Sequence, residues 1–184
     1  VSHGIAKVKI SLRNGTENTL KRGRGRPAGY DRAEVLARIT ATFRRHGFEG
    51  ASLDRLATET GLARPSLYAG FGDKREMYLA AVAATAHILE QGLAATLAAP
   101  TLRGALTALY ARAIDLYAGG PVALGCLIVC TATTAAPDEP TVREALADVL
   151  ATLDGALVAR CAAAPAECRG DPAGAGAVAA ATLH

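Results

Sequence analysis

The sequence predicts an all-α fold, with a small head of three helices at the N-terminal end and a larger helical body behind it. Three observations carry this. Apolar residues make up 51% of the 184-residue chain, yet there is no Trp and only three Phe. The core must therefore come from Ala, Leu and Val, and the first two are strong helix formers. Apolar positions recur at intervals of three and four, the spacing of a helix face. Gly and Pro fall between these runs and punctuate them.

Residues 1–30 are polar, basic and glycine-rich, with no periodic apolar face. We read them as a flexible basic arm. The first helix starts at Asp31, an N-cap with Glu34 three residues on, as in a capping box. Leu36, Ile39 and Phe43 give its inner face, and Gly47 stops it, with Phe48 folding back onto the last turn. Ser52 caps a second helix whose inner face is Leu53, Leu56 and Ala57. Thr60-Gly61-Leu62 is a turn, and a third helix spans about residues 63–69. Asp73 and Glu76 form a further capping box at the start of a fourth helix, which ends before Pro100.

Three more runs complete the body. Residues 102–117 carry Leu102, Leu106, Leu109, Ala113 and Leu116 on one face. Residues 122–135 are almost wholly apolar, as expected of a buried central helix. Residues 141–162 are amphipathic through Val142, Leu146, Val149, Leu153 and Leu157. A Pro/Gly-rich loop follows over 165–176, and an apolar helix begins near Ala177 and is still running at His184, so the C-terminal end reads as incomplete. The domain division is thus an arm over 1–30, a head over 31–76 and a body over 77–184.

Charge separates the two ends. The formal net charge is +3, but residues 1–50 hold 11 Lys/Arg against 4 Asp/Glu, while residues 51–184 hold 9 against 13. A basic end on an acidic body suits a nucleic-acid partner at that end. Lys7 and Lys9 interrupt the Ile5–Leu12 stretch, so no secretion signal is legible, and Val122–Val129 is far too short to span a bilayer. The expected location is cytoplasmic, without membrane attachment, and the four Cys are expected as thiols. No Cys-x-x-Cys or paired His suggests a metal, and nothing suggests a cofactor.

The functional signal lies in Ser52–Phe71. Two short helices joined at Gly61 make a helix-turn-helix, locked by Leu53, Leu56, Ala57, Leu62 and Leu67. The second helix then presents Arg64, Pro65, Ser66, Tyr68 and Ala69 outward, and a helix this short fits a major groove.

From Ala33 to about Val82 the chain resembles the DNA-binding head of the TetR/AcrR family of repressors. The matching features are Phe43, Gly47-Phe48, Ser52-Leu53, Leu56-Ala57, Gly61-Leu62, Ser66-Leu67-Tyr68, Phe71 and Asp73-Lys74-Arg75-Glu76. Leu62-Ala63 stands where the family usually has Val-Ser, and Pro65 stands where a small residue is common. The resemblance implies a transcriptional repressor that binds double-stranded operator DNA as a homodimer. It implies phosphate contacts from Ser52, Tyr68 and Lys74, and base contacts from Arg64, Pro65 and Ser66. It also implies that the body binds a small-molecule effector and forms the dimer.

Within the body, His87, Tyr110, Tyr117 and Cys126 are polar groups in apolar runs and are candidates for an effector pocket. Gly125-Cys126-Leu127 resembles a segment in a branch of the family that includes electrophile- and oxidant-sensing members. Cys126 and Cys130 are four apart and so would share a helix face. No Lys, Arg or His lies between Arg112 and Arg143, so a sensing thiol would need a cation from elsewhere in the fold, and inert core thiols are the competing reading. Cys161 and Cys168 flank a Pro-containing loop, and a bridge between them stays open. Two other functions stay open as well: an architectural DNA-binding protein without an effector, and a thiol enzyme using Cys126 with His87 as base.

Arg24-Gly25-Arg26-Pro27 resembles the core of an AT-hook, with Arg24 and Arg26 in the minor groove of A·T-rich DNA; a charged linker is the alternative. Deleting residues 1–28 should leave the helical fold intact, as read by circular dichroism. The log–log salt slope of DNA binding should fall by roughly 0.9 for each phosphate that the arm no longer neutralises. The drop in affinity should be larger beside A·T flanks than beside G·C flanks. Equal slopes and affinities with and without the arm on both DNAs would leave binding to the helix-turn-helix alone.

Overall fold

The computed structural model describes residues 29–118, 125–130, 139–167 and residue 178. The arm with Arg24 and Arg26, most of the 122–135 run, Cys168 and nearly all of the C-terminal apolar run lie outside the described residues.

All regular structure among the described residues is helical, as the apolar spacing predicts. The order is α1 (Arg32–Gly50), α2 (Leu53–Thr60), α3 (Arg64–Phe71), α4 (Lys74–Leu97), α5 (Leu102–Ala118), α6 (described over 127–130) and α7 (Pro140–Ala162). No helix among the described residues is long and apolar enough to cross a membrane.

Asp31 caps α1, accepting from the Ala33 amide at 2.8 Å and the Glu34 amide at 3.5 Å. Glu34 places its carboxylate on Arg38 at 2.7 Å, so the predicted reciprocal box gives way to an i,i+4 ion pair. The buried stripe of α1 is Val35, Ile39, Thr42 and Phe43, with Leu36 at its edge. Gly47, at φ 69°, breaks the helix, and a last short stretch continues to Gly50. The break turns Phe48 back beneath Phe43, ring centroids 6.3 Å apart.

These rings make the centre of the head. Tyr78 of α4 meets Phe43 and Phe48 edge-on, each at 5.1 Å. Phe43 and Tyr78 are fully buried. Edge-to-face contact sets the positive ring edge against the negative face, which adds to the gain from burial. Leu56 of α2 and Leu67 of α3, both fully buried, pack into the same core. Leu53, Ala57 and Leu62 are partly buried around them, completing the inward set that the sequence predicts.

The α2–α3 turn is set by Gly61 at φ 71°, ψ 14°, whose amide donates to the Thr58 carbonyl. This is the left-handed conformation, which a side chain disfavours by roughly 1–2 kcal/mol. The complete capping box appears at α4: Asp73 accepts from the Glu76 amide, and Glu76 accepts from the Asp73 amide, each at 2.8 Å.

α4 runs unbroken through residues 76 and 77, so the head and the body are built on one helix. α1, α5 and α7 all pack on it. Val142, Leu146, Val149, Leu153 and Leu157 of α7 are buried, as their spacing predicts. Two distant residues finish the α4–α5 corner. Arg160 donates to the carbonyls of Leu97 and Ala99, at 3.1 and 3.2 Å, supplying a cation where α4 ends. Glu167 accepts from the Leu102 amide at 2.8 Å, supplying an anion where α5 begins.

Because the aromatic trio joins α1 to α4, Phe43→Ala should lower the unfolding free energy by about 3–5 kcal/mol, the cost of emptying a large buried site. Urea unfolding followed by circular dichroism measures it. A decrease below about 1 kcal/mol, the size of an ordinary surface change, would show that the trio is peripheral.

Candidate nucleic-acid interface and body pocket

The outward face of α3 follows from what its inward face must do. Leu67 and Phe71 are buried, four apart, and fix the helix rotation. Arg64, Pro65, Ser66, Tyr68 and Ala69 are then all exposed, as the sequence assigns them. Ala63 is the N-cap and lends no side-chain hydrogen bond, and Pro65 sits in the first turn, where a missing N–H costs nothing. Ser52 caps α2, its hydroxyl accepting from the Arg55 amide at 3.2 Å. Lys74, the first residue of α4, lies with Nζ 4.5 Å from the Phe48 ring centroid and donates to the Glu49 carbonyl at 3.4 Å. It flanks the α2–α3 unit from the side of α1.

Arg64 is already engaged. Its Nε donates to Asp54 Oδ1 at 2.7 Å, and Nη2 donates to the same oxygen. Asp54 stands in the first turn of α2, so this pair bridges the two helices across the turn. The hydrogen bonds from Arg64 hold the Asp54 carboxyl below its ordinary pKa; partial desolvation opposes them, and the Arg64 charge reinforces them.

Two residues that carry no signal in the sequence tie the end of the arm to α3. Tyr30 stacks on Phe71 at 6.5 Å, and the Arg32 guanidinium lies 4.4 Å from the centre of the same ring. Arg32 also donates to the Gly70 carbonyl. Tyr30 and Arg32 thus lie beside the C-terminal end of α3.

In the body, α4, α5, α6 and α7 line a pocket that opens in part to solvent. Its walls are mostly aliphatic: Ile88 and Leu93 of α4, Leu109 of α5, Ile128 of α6, and Leu150 and Leu153 of α7. Tyr117 and Cys126 line it. His87 and Tyr110 do not. His87 is exposed on the other side of α4, where its Nε2 lies 2.9 Å from Gln91 Nε2. The structure therefore does not bring His87 to Cys126, which a base–nucleophile pair would need.

The cysteines differ in exposure. Cys126 precedes the described turn of α6 and is buried, whereas Cys130 is exposed. Cys126 begins the helix, its carbonyl accepting from the Cys130 amide at 2.9 Å, and both thiols act on the Tyr117 phenol. Cys161 is buried on α7. The cation missing from the local sequence arrives from α1: Arg44 Nη2 donates to the Gly125 carbonyl at 3.0 Å. Among the described residues, Arg44 Nε is buried without a hydrogen-bond partner. Burial pushes the Tyr117 phenol above its ordinary pKa, the adjacent Cys126 adds to the shift, and the Arg44 charge opposes it. Tyr117, Cys126 and Arg44 thus form one polar corner where α1 meets the pocket.

Comparison with known proteins agrees with this architecture. The model of a family described as "Bacterial regulatory proteins, tetR family" matches residues 35–81. A Bacillus subtilis (strain 168) protein, described as the uncharacterized HTH-type transcriptional regulator YezE, is 31% identical over 117 residues, covering 63% of this chain and 60% of its own length. The Escherichia coli (strain K12) HTH-type transcriptional repressor ComR is 28% identical over 129 residues, covering 69% of this chain and 61% of its own length. The chain thus matches about three fifths of the length of these two relatives. Among solved structures, a cysteine mutant of the TetR family transcriptional regulator CifR, complexed with 26-base-pair operator DNA, is 28% identical with a TM-score of 0.75. That likeness covers 86% of this chain and 85% of CifR.

The Asp54–Arg64 pair gives a direct titration. Carbon-detected NMR should place the Asp54 pKa below that of an unpaired aspartate, and Arg64→Gln should return it to the ordinary range. A lowered folded pKa means that the pair's contribution is present above the ordinary carboxylate pKa of about 3.9 and is lost as pH falls through the folded value. An Asp54 titration unchanged by Arg64→Gln would mean that the pair does not persist in solution.

Proposed function

Since this chain belongs to the TetR family of bacterial transcriptional regulators, we propose that it is an operator-binding repressor released from its DNA by a small molecule held in the body. The observation that carries this is the outer face of α3. Arg64, Pro65, Ser66 and Tyr68 stand exposed on an eight-residue helix that the head holds rigidly from behind. A helix of that size enters the major groove of B-DNA, where base edges are distinguishable.

Arg64, Pro65 and Ser66 read base edges; Ser52, Tyr68 and Lys74 meet phosphates. Arg64 must turn away from Asp54, or carry it along, to reach a base. The anchoring of Tyr30 and Arg32 on Phe71 starts the arm beside α3, which supports a route for Arg24 and Arg26 into the adjacent minor groove.

One short helix reads only a few base pairs, so the working form is a homodimer whose two heads read two half-sites. A role at chromosomal operators sets its place of action in the cytoplasm. The body pocket favours effector control over an architectural role without an effector. Two contacts support coupling between pocket and head: Arg44 on the Gly125 carbonyl, and Arg75 on Glu139 at 2.7 Å, where α7 begins. A ligand pressing on Tyr117 or Cys126 acts beside the first of these.

The test is selection of binding sites from random DNA, then affinity measurement on the selected and random sequences at several salt concentrations. Tyr68→Phe and Lys74→Ala should weaken binding to all sequences alike. Arg64→Ala should also cost about 1–3 kcal/mol of discrimination, because base contacts specify where phosphate contacts position. If Arg64→Ala keeps the selected sequence and its margin over random DNA, Arg64 is not a base reader.

A further inference from the structure

Of the described side chains that line the body pocket, Arg112 alone carries a full charge, and there is no Asp or Glu in the lining. The residue is exposed, with its guanidinium end at the pocket. The guanidinium of Arg112, on α5, lies directly against Gly92 of α4. A methyl group at position 92 would collide with Arg112 Nε and would sit only 2.9 Å from Cζ. Gly92 is buried and lies inside α4, where glycine weakens a helix by roughly 1 kcal/mol relative to alanine. The notch it leaves is filled by the guanidinium. No hydrogen bond or ion pair engages Arg112 among the described residues, whereas Arg38, Arg45, Arg64 and Arg75 all have carboxylate partners.

We propose that the pocket selects apolar small molecules bearing one carboxylate, with Arg112 as the group that recognises the anion. This rests on the reading of the pocket as an effector site and names the class of effector. The aliphatic walls take the apolar part by burial. A guanidinium is a planar fork of N–H donors that matches a carboxylate bidentately, and unlike a lysine it stays charged when water is excluded. The Tyr117 hydroxyl and the Cys126 thiol add neutral polar groups on the same lining. A cationic ligand would meet Arg112 with no carboxylate in the described walls to offset the repulsion. A neutral one would leave the guanidinium without a partner.

Three probes of matched chain length test this: decanoate, decan-1-ol and decyltrimethylammonium. Their binding to the full chain is measured by calorimetry, and operator binding is followed separately by fluorescence anisotropy. The unmodified chain should prefer decanoate to decan-1-ol by about tenfold, the worth of a charge-assisted hydrogen bond. It should bind the cation most weakly. Arg112→Gln should abolish the preference while leaving decan-1-ol affinity unchanged, and Arg112→Lys should retain part of it. Gly92→Ala, which evicts the guanidinium without removing its charge, should also reduce the preference. Operator affinity without probe should be the same for every variant. Failure of decanoate to bind, equal affinity for the three probes, or a preference that survives Arg112→Gln would overturn the proposal. Failure of the repressor reading would show elsewhere, as absence of sequence-selective DNA binding by the unliganded protein.

Discussion

The fold depends on the contact between Phe43, Phe48 and Tyr78. These are three of the few aromatic rings in a chain with no Trp, and they meet at one point. Two belong to α1 and the third to α4, so the cluster fixes the first helix against the longest one. α2 and α3 then pack on the same cluster through Leu56 and Leu67, and the outer face of α3 follows from that rotation. A head of about forty-five residues has little core of its own, and large rings supply much of what can be buried there.

The body solves a different problem with small residues. Its helices bury Ala, Leu and Val, which leaves room for a pocket between α4, α5, α6 and α7. Polar groups then close the helix ends from a distance. Arg160 and Glu167 satisfy the α4–α5 corner across sixty or more residues of sequence, and Arg75 meets Glu139 across a similar span. Buried or half-buried helix ends need such partners because unpaired backbone groups are costly. The same contacts join α7 to α4, and so the pocket wall to the helix that begins under the head.

Charge is placed with equal economy. On the exposed face of α2 and α3, Asp54 pairs with Arg64 across the turn. In the body, the half-buried Arg44 and the exposed Arg112 both stand at the pocket without a carboxylate partner among the described residues. The first hydrogen-bonds a backbone carbonyl and the second lies against a glycine.

Much of this was legible in the sequence because it is local. Helix spacing, the Asp73–Glu76 box, the turn at Gly61 and the inward set Leu53–Leu67 depend on residues within a few positions of one another, and periodicity and capping chemistry report them. The exposure of Arg64, Pro65, Ser66 and Tyr68 followed from the same periodicity. What only the tertiary structure decided is what depends on distant partners. Arg44 beside Gly125, Arg112 in the Gly92 notch, Asp54 on Arg64 and Tyr30 on Phe71 carry no sequence signal, since each pair joins separate segments whose relative placement is set by the core between them. The same reason separates Tyr117 and Cys126, which face the pocket, from His87 and Tyr110, which do not. All four are polar residues in apolar runs, and only the packing of α4 against α5 and α7 decides which side of the helix is the inside.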